Sequence, residues 1–282
     1  MPLAVTRCYH VNVNCSELDR SLAWYGETLG LTPLVRTRPD EPQPGAAFGL
    51  DRVQWDAWIL QGAAGHSGVV LDLLQWQVPP AAGTPRRIGE TGFVALVAAA
   101  PQPPEGATPT DLVEGGRLVT DPDGTTVIVV EGAPAIAGLV VGCADISSSR
   151  RWYHEVVGLA LDTQGRPVDA ERGFTFHLTD TAHLTDVCRP ADPPQPTDPS
   201  TADGIETDPM RPPAIANELG IFRTALFTDD IDGDHQLLLD AGTHRYSPPV
   251  DLTMGPGLPQ LRALFFDGPD GECVELIEPP RP

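Results

Sequence analysis

Chemistry in this chain is carried by a few residues at set places in short strands, not by a contiguous motif. His10 sits on an alternating segment in which Val11 and Val13 take one face and Asn12 and Asn14 the other. An imidazole on the polar face of such a strand serves as a metal ligand, a general base or a hydrogen-bonded pocket residue. Glu275 lies between Val274 and Leu276 and faces away from both. That position suits a ligand, an acid/base group of raised pKa, or the ion-pair partner of a cation. Arg223, in FRTAL, is such a cation, and it could equally anchor a substrate carboxylate or phenolate. Trp55, Trp58 and Trp76 flank strands of the first third and offer flat surfaces for a planar ligand, or simple packing. His177 and His183 stand on short strands and read as structural. Cys8 and Cys15 lack basic neighbours that would make them nucleophiles. Dinucleotide, Walker and serine-hydrolase signatures are absent.

These residues must be positioned by a repeated element. His10–Leu31 reads as a strand, a turn and an amphipathic helix. Ser16–Asp19 supplies its helix-start chemistry, and Gly30 stops it. Leu18, Leu22, Trp24, Tyr25 and Leu29 fall at helical spacing. Gly138–Leu159 repeats the segment at an offset of 128, with Cys15 on Cys143, Trp24–Tyr25 on Trp152–Tyr153, Glu27 on Glu155 and Gly30–Leu31 on Gly158–Leu159. This is an internal duplication. After the first copy, Leu34–Thr37, Gln54–Leu60 and Gly68–Gln75 read as strands, completing a β-α-β-β-β module. A second module begins at Phe93, and prolines in PQPPEGATPTDLVEGG leave room for only a turn or two of helix. Its hairpin turns at Asp121-Pro-Asp-Gly124 before Val127–Val130. The third module runs from Gly138 through strands at Phe174–Leu178 and His183–Cys188. The fourth starts at Ile221, has a helix over Asp232–Ala241, and ends with a turn at Gly268-Pro-Asp-Gly271 before Cys273–Ile277. Between the last two lies a Pro-rich connector, 189–216, which reads as a lid or a disordered segment.

Composition bounds the function. A chain of 282 residues fits about two domains. A formal charge of −21 opposes nucleic acid and anionic membranes and would favour a cationic ligand. No long apolar run and no signal layout occur, so the protein reads as cytoplasmic. Five cysteines without a CxxC pair read as reduced, mostly buried thiols. The expected partner is a small-molecule ligand or substrate, the expected assembly a monomer or homodimer.

The first-strand His, the SELDRSLAWY helix start, the GL helix end and the DPDG and GPDG turns resemble the vicinal oxygen chelate superfamily. That family holds glyoxalase I, extradiol dioxygenases, fosfomycin-modifying enzymes and bleomycin-type resistance proteins. The resemblance implies an α+β fold of four βαβββ modules pairing into two curved sheets around cavities. Taken in sequence order, modules one and two form an N-terminal domain, 1–132, and modules three and four a C-terminal domain, 133–282. It also implies that metal ligands come from the first and last strands of each module. Those positions fall on His10 and Asp72, on Phe93 and Ile128, on Gly138 and His183, and on Arg223 and Glu275. Sequential pairing yields no ordinary metal site. Pairing module one with four, as in some fused glyoxalases, would gather His10, Asp72 and Glu275 with Arg223 among them, leaving the other cavity inert. One divalent ion (iron, zinc, manganese or nickel) or none would be the cofactor.

Two functions follow from the resemblance. One is an enzyme of small-molecule or antibiotic-type natural-product metabolism. His10, Arg223 and Glu275 would be catalytic, and Asp72, Phe93, Trp55, Trp58, Trp76 and His183 would hold a polycyclic or polyketide-like substrate. Isomerisation, cyclisation, lyase chemistry or oxygenation would suit it. The other is a metal-free, drug-sequestering protein.

Overall fold

A computed structural model describes residues 1–181, 212–213, 215–243 and 247–279. His183 and most of the connector 189–216 lie outside these residues.

The first module comprises β1 (Val5–Asn14), α1 (Leu18–Leu29), β2 (Thr32–Thr37), β3 (Gln43–Pro44), β4 (Arg52–Gln61) and β5 (Val70–Val78). The second is β6 (Gly92–Ala100), β7 (Thr108–Pro109), β8 (Arg117–Thr120) and β9 (Thr126–Glu131), with no helix in its proline-rich segment. The third contains β10 (Ala135–Cys143), α2 (Ile146–Glu155), β11 (Ala160–Leu161), β12 (Pro167–Asp169) and β13 (Phe174–Asp180). The fourth contains β14 (Gly220–Thr228), α3 (Ile231–Asp240), β15 (Val250–Leu252), β16 (Leu261–Asp267) and β17 (Cys273–Glu278). Among the described residues no helix is long and apolar enough to cross a membrane.

Two mixed sheets result, and they do not follow the division at residue 132. One runs β15-β16-β17-β14-β1-β5-β4-β2, with β3 attached to β4, and so joins modules one and four. The other runs β11-β12-β13-β10-β6-β9-β8-β7 and joins modules two and three. The grouping of residues 1–132 against 133–282 therefore needs correcting at the level of the sheets. A physical reason lies in the segment after β5. Ala82 N–H donates to Asn217 O (2.9 Å), and Leu219 N–H donates to Ala82 O (2.9 Å). Asn217 Nδ2 donates to Pro80 O, and Asn14 Nδ2 to Ala216 O and Glu218 O. These bonds hold the lead-in to β14 beside the end of β1. The two strands then pair antiparallel, from Val5 opposite Thr228 to Asn14 opposite Gly220.

The backs of the two sheets and the helices share one apolar core. Val11 and Val13 of β1, Leu71 and Leu73 of β5, Leu96 and Ala98 of β6, Leu139 and Val141 of β10, and Val274 and Leu276 of β17 all turn into it. The helices are fitted by their ends and inner faces. Glu17 caps α1 by accepting from Asp19 and Arg20 N–H groups, and Gly30 closes it in the left-handed region at φ 71°. Asp145 caps α2.

The duplicated tyrosines make the same kind of contact in both copies. Tyr25 OH donates to Asp121 Oδ2 (3.1 Å) in the turn of module two, and Tyr153 OH donates to Glu272 Oε1 (2.8 Å) beside the turn of module four. Each helix thus crosses from its own sheet to the other. The accepting acid has moved between copies. In the first turn Asp121 Oδ1 accepts from the Asp123 N–H, whereas in the second Glu272 Oε2 accepts from the equivalent Asp270 N–H. Gly268 stands where Asp121 stands, and a Cβ there would lie 2.3 Å from Glu272 Oε1. The missing side chain is what admits the Glu272 carboxyl. Gly268→Ala should therefore cost about 1–3 kcal/mol in chemical denaturation. Gly268→Asp made together with Glu272→Thr should restore most of it, having moved the acid back to the first copy's position.

Candidate functional site

Strand alternation places the polar face of β1 toward the concave side of the module one–four sheet, opposite the shared core. His10 lies across from Ala225 of β14, which in turn lies across from Glu275 of β17. In the adjacent row Asp72 of β5 lies across from Asn12, which lies across from Arg223. Each row thus carries two functional side chains two strands apart. Strands stand about 4.8 Å apart, so the pairs meet only because the sheet curves and the residue between them allows it. Ala225 is small enough to let His10 and Glu275 approach. Asn12 instead joins its row, with Nδ2 donating to both Asp72 Oδ2 and Asp72 O at 3.1 Å.

Four ionisable groups converge there, all buried. Arg223 Nε donates to Glu275 Oε2 at 2.7 Å, and its Nη2 donates to Asp72 Oδ2 at 3.0 Å. His10 Nε2 is 3.2 Å from Glu275 Oε2 and 3.9 Å from Asp72 Oδ2. The shorter of these distances is off the line of a good hydrogen bond. Burial pushes the Glu275 carboxyl upward, but the Arg223 guanidinium and the His10 ring override it and hold the group below its ordinary range. Burial would lower Arg223, yet Glu275 and Asp72 raise it, so it keeps its charge. Tyr9 is raised by burial and by the same two carboxylates, and its phenol stays protonated. Two carboxyl groups thus face one guanidinium, with the His10 ring beside them.

The cluster floors a cavity of about 250 Å³ whose walls include Tyr9, Phe48, Trp55, Trp76, Phe227 and Met254. Trp76 Nε1 donates to Asn14 Oδ1 (3.0 Å) and Trp55 Nε1 to Thr37 Oγ1 (3.1 Å). Both indole planes are thereby fixed with their polar atoms satisfied.

Of the residues expected at a site, His10, Asp72, Arg223, Glu275, Trp55 and Trp76 come together. Trp58 does not. Trp55, Ala57 and Ile59 share the concave side, and a residue an odd number of steps away takes the other. Trp58 packs against the shared core with Arg36 Cζ 5.7 Å from its ring centroid. Phe93 also leaves the cavity; it is 2% exposed within the shared core. The last-strand position of module three needs correction too. The partner of His10 is Val70 and Asp72 lies two residues on; the partner of Arg223 is Cys273 and Glu275 lies two on. Gly138 pairs with Thr175, so the equivalent residue is His177. His183 lies outside the described residues.

Among the described residues the second concave face is apolar along β6, β9 and β10. Ile128 packs there with Val94, Ala95, Val97, Val113 and Val140. His177 is pushed down to about 4 by burial and by Arg166, so it is neutral at physiological pH.

Sequence reasoning missed Tyr9, Asn12 and Phe48. Asn12 was legible, because it shares a face with His10. Tyr9 was not. A bulge between Cys8 and His10 interrupts the alternation, which lets two consecutive residues line one cavity.

The residues do not fit a divalent metal as they stand. The crossed pairing that would gather His10, Asp72 and Glu275 is present, but Arg223 lies bonded to both carboxylates. A dication about 4 Å from that guanidinium would be opposed by roughly 8 kcal/mol at an effective dielectric near 20. Among the described residues no three His, Cys, Asp or Glu side chains form a metal nest.

No protein-family model matches the sequence, and no curated protein is similar to it. Solved structures do match. Glyoxalase I from Zea mays superposes with a TM-score of 0.60 at 16% identity, covering 96% of this chain and 92% of that one. Its V278E mutant gives 0.61 at 16% identity, with coverage of 96% and 92%. A Bacillus subtilis protein provisionally assigned as a dioxygenase gives 0.59 at 15% identity, covering 99% and 87%. At these identities the likeness is one of fold.

Proposed function

Because the chain has the vicinal oxygen chelate fold, we propose that it is an enzyme acting on a planar, largely apolar small molecule of the polycyclic or polyketide type. The observation that supports this is a cluster of four ionisable groups at the floor of an aromatic cavity. A purely structural ion cluster would not need an apolar chamber above it. In this reading the aromatic walls hold the ligand rings and exclude water. His10 takes a proton from carbon or oxygen, and Glu275 beside it stabilises the imidazolium. Arg223 provides positive charge where an enolate or phenolate develops. Isomerisation, cyclisation and lyase steps all begin with this proton transfer, and the imidazolium then returns the proton to a new carbon, to the alkoxide formed on ring closure, or to the departing group.

A second reading, sequestration of a cationic drug, is favoured by the surplus carboxylate at the cavity floor. The readings separate on variants. A panel of neutral and cationic polycyclic ligands would be titrated against the fluorescence of Trp55 and Trp76, and each binder assayed for product by mass spectrometry. The enzyme reading expects His10→Ala to lower turnover by about 10²–10⁴ while affinity changes little. Ligands that bind tightly and are never converted by the unaltered protein would sink it in favour of sequestration.

A further inference from the structure

We propose that Arg223 is the built-in cation of this site, standing where a divalent metal would otherwise bind, and that Arg223→His converts the cluster into a metal site. Donors around an ion about 2.1 Å away stand roughly 3.0–3.4 Å from one another. His10 Nε2 lies 3.2 Å from Glu275 Oε2, within that range, and 3.9 Å from Asp72 Oδ2, about 0.5 Å beyond it, so the donors are neighbours that need a small inward movement of Asp72 to share one ion. All three side chains are buried and carried on rigid strands. What prevents occupancy is the guanidinium, whose Nε and Nη2 use the same two carboxylate oxygens, Glu275 Oε2 and Asp72 Oδ2, that face His10. A guanidinium cannot give up its proton in a protein, so it cannot become a ligand. Asn12 donates to Asp72 Oδ2 from the other side, holding that carboxylate in place as an outer-shell partner would. An imidazole at position 223 would remove the competing charge, leave the carboxylates in need of a cation, and add a fourth donor.

The test is titration of the purified protein with Ni²⁺ and Co²⁺ by calorimetry and visible absorption. It involves no organic ligand, so it stands or falls separately from the proposed activity. The unaltered protein should show no saturable site and no cobalt d–d bands. Arg223→His should bind about one equivalent, at least about 100-fold more tightly, with cobalt bands and a rise in melting temperature on adding Ni²⁺. The gain should vanish in Arg223→His/Glu275→Ala. Two unpaired carboxylates could keep the apo variant from folding. In that case, recovery of its circular dichroism on adding metal would support the proposal equally. Arg223→Gln, which removes the charge without adding a donor, should bind weakly but measurably. The proposal is overturned if the unaltered protein binds one equivalent that Glu275→Ala abolishes. It is also overturned if both position-223 variants fold and bind no better than the parent, or if neither folds with metal present.

Discussion

Arg223→Met should destabilise the protein by about 3–5 kcal/mol at pH 8, the cost of leaving buried carboxylates without their cation. The residue is 6% exposed and its two partners are buried, so water screens the carboxylates poorly in its place. The pH dependence has a definite sign. Without the guanidinium, burial pushes the folded-state pKa of Glu275 above its unfolded value. That group then binds a proton more readily folded than unfolded, and stability declines as pH rises through that interval. The penalty should therefore shrink toward pH 5. In the unaltered protein Glu275 is held below its ordinary range, so its contribution is present above the unfolded pKa and is lost on acidification. Urea denaturation of both proteins at pH 5 and 8 checks this. Arg223→Met combined with Asp72→Asn and Glu275→Gln should recover most of the loss, because an uncharged cluster needs no counter-ion. A penalty below about 1 kcal/mol would mean that water or a backbone shift compensates the carboxylates.

Raising pH from 5 to 9 should weaken the fold through Glu272, and Glu272→Gln should remove that part of the dependence. Burial is the main cause that pushes this carboxyl up to about 8, with Asp270 adding to it, despite hydrogen bonds from Tyr153 OH and the Asp270 N–H. Its folded pKa exceeds the ordinary 4.5, so the folded state holds a proton that the unfolded state releases. Stability is thus fully present below about 4.5 and declines up to about 8, with a ceiling of roughly 5 kcal/mol at 1.36 kcal/mol per unit. The groups facing it are Asp270, Tyr153 and Cys143; burial pushes the Tyr153 phenol and the Cys143 thiol upward, which keeps both neutral. Thermal melts of parent and variant across this range provide the measurement. Parallel slopes would place the pH sensitivity elsewhere.

The module pattern was legible because it rests on local physics. Alternation in HVNVN set Val11 and Val13 against His10, Asn12 and Asn14, and the structure keeps that division. Asp72 and Glu275 were found because they sit between apolar neighbours that enter the core. Module pairing was not legible. Strands β1, β6, β10 and β14 all present an edge to be filled, and the choice is made by bonds between residues 80–82 and 216–219, distant in sequence. His183 took the place of His177 for a similar reason. Register across a parallel strand pair is fixed by hydrogen bonds, whereas aligning Pro190 with Pro79 uses only spacing. Trp58 was misplaced by proximity to Trp55, although an odd separation in a regular strand already puts the two on opposite sides.

Joining the first module to the last has a consequence for synthesis. The β1 edge emerges early, yet its partner β14 begins at residue 220. At about 5–20 residues per second, that edge waits roughly 10–40 s for its neighbour. Modules two and three complete their sheet from residues 92–180, before the outer pair can close around them. The cavity is consequently the last part of the molecule to exist. Half of its walls and two of its four charged groups are present on the growing chain with nothing opposite them. His10 on that waiting strand, with Asp72 on its neighbour β5, keeps one face of the pair polar, which discourages it from pairing with a neighbouring chain.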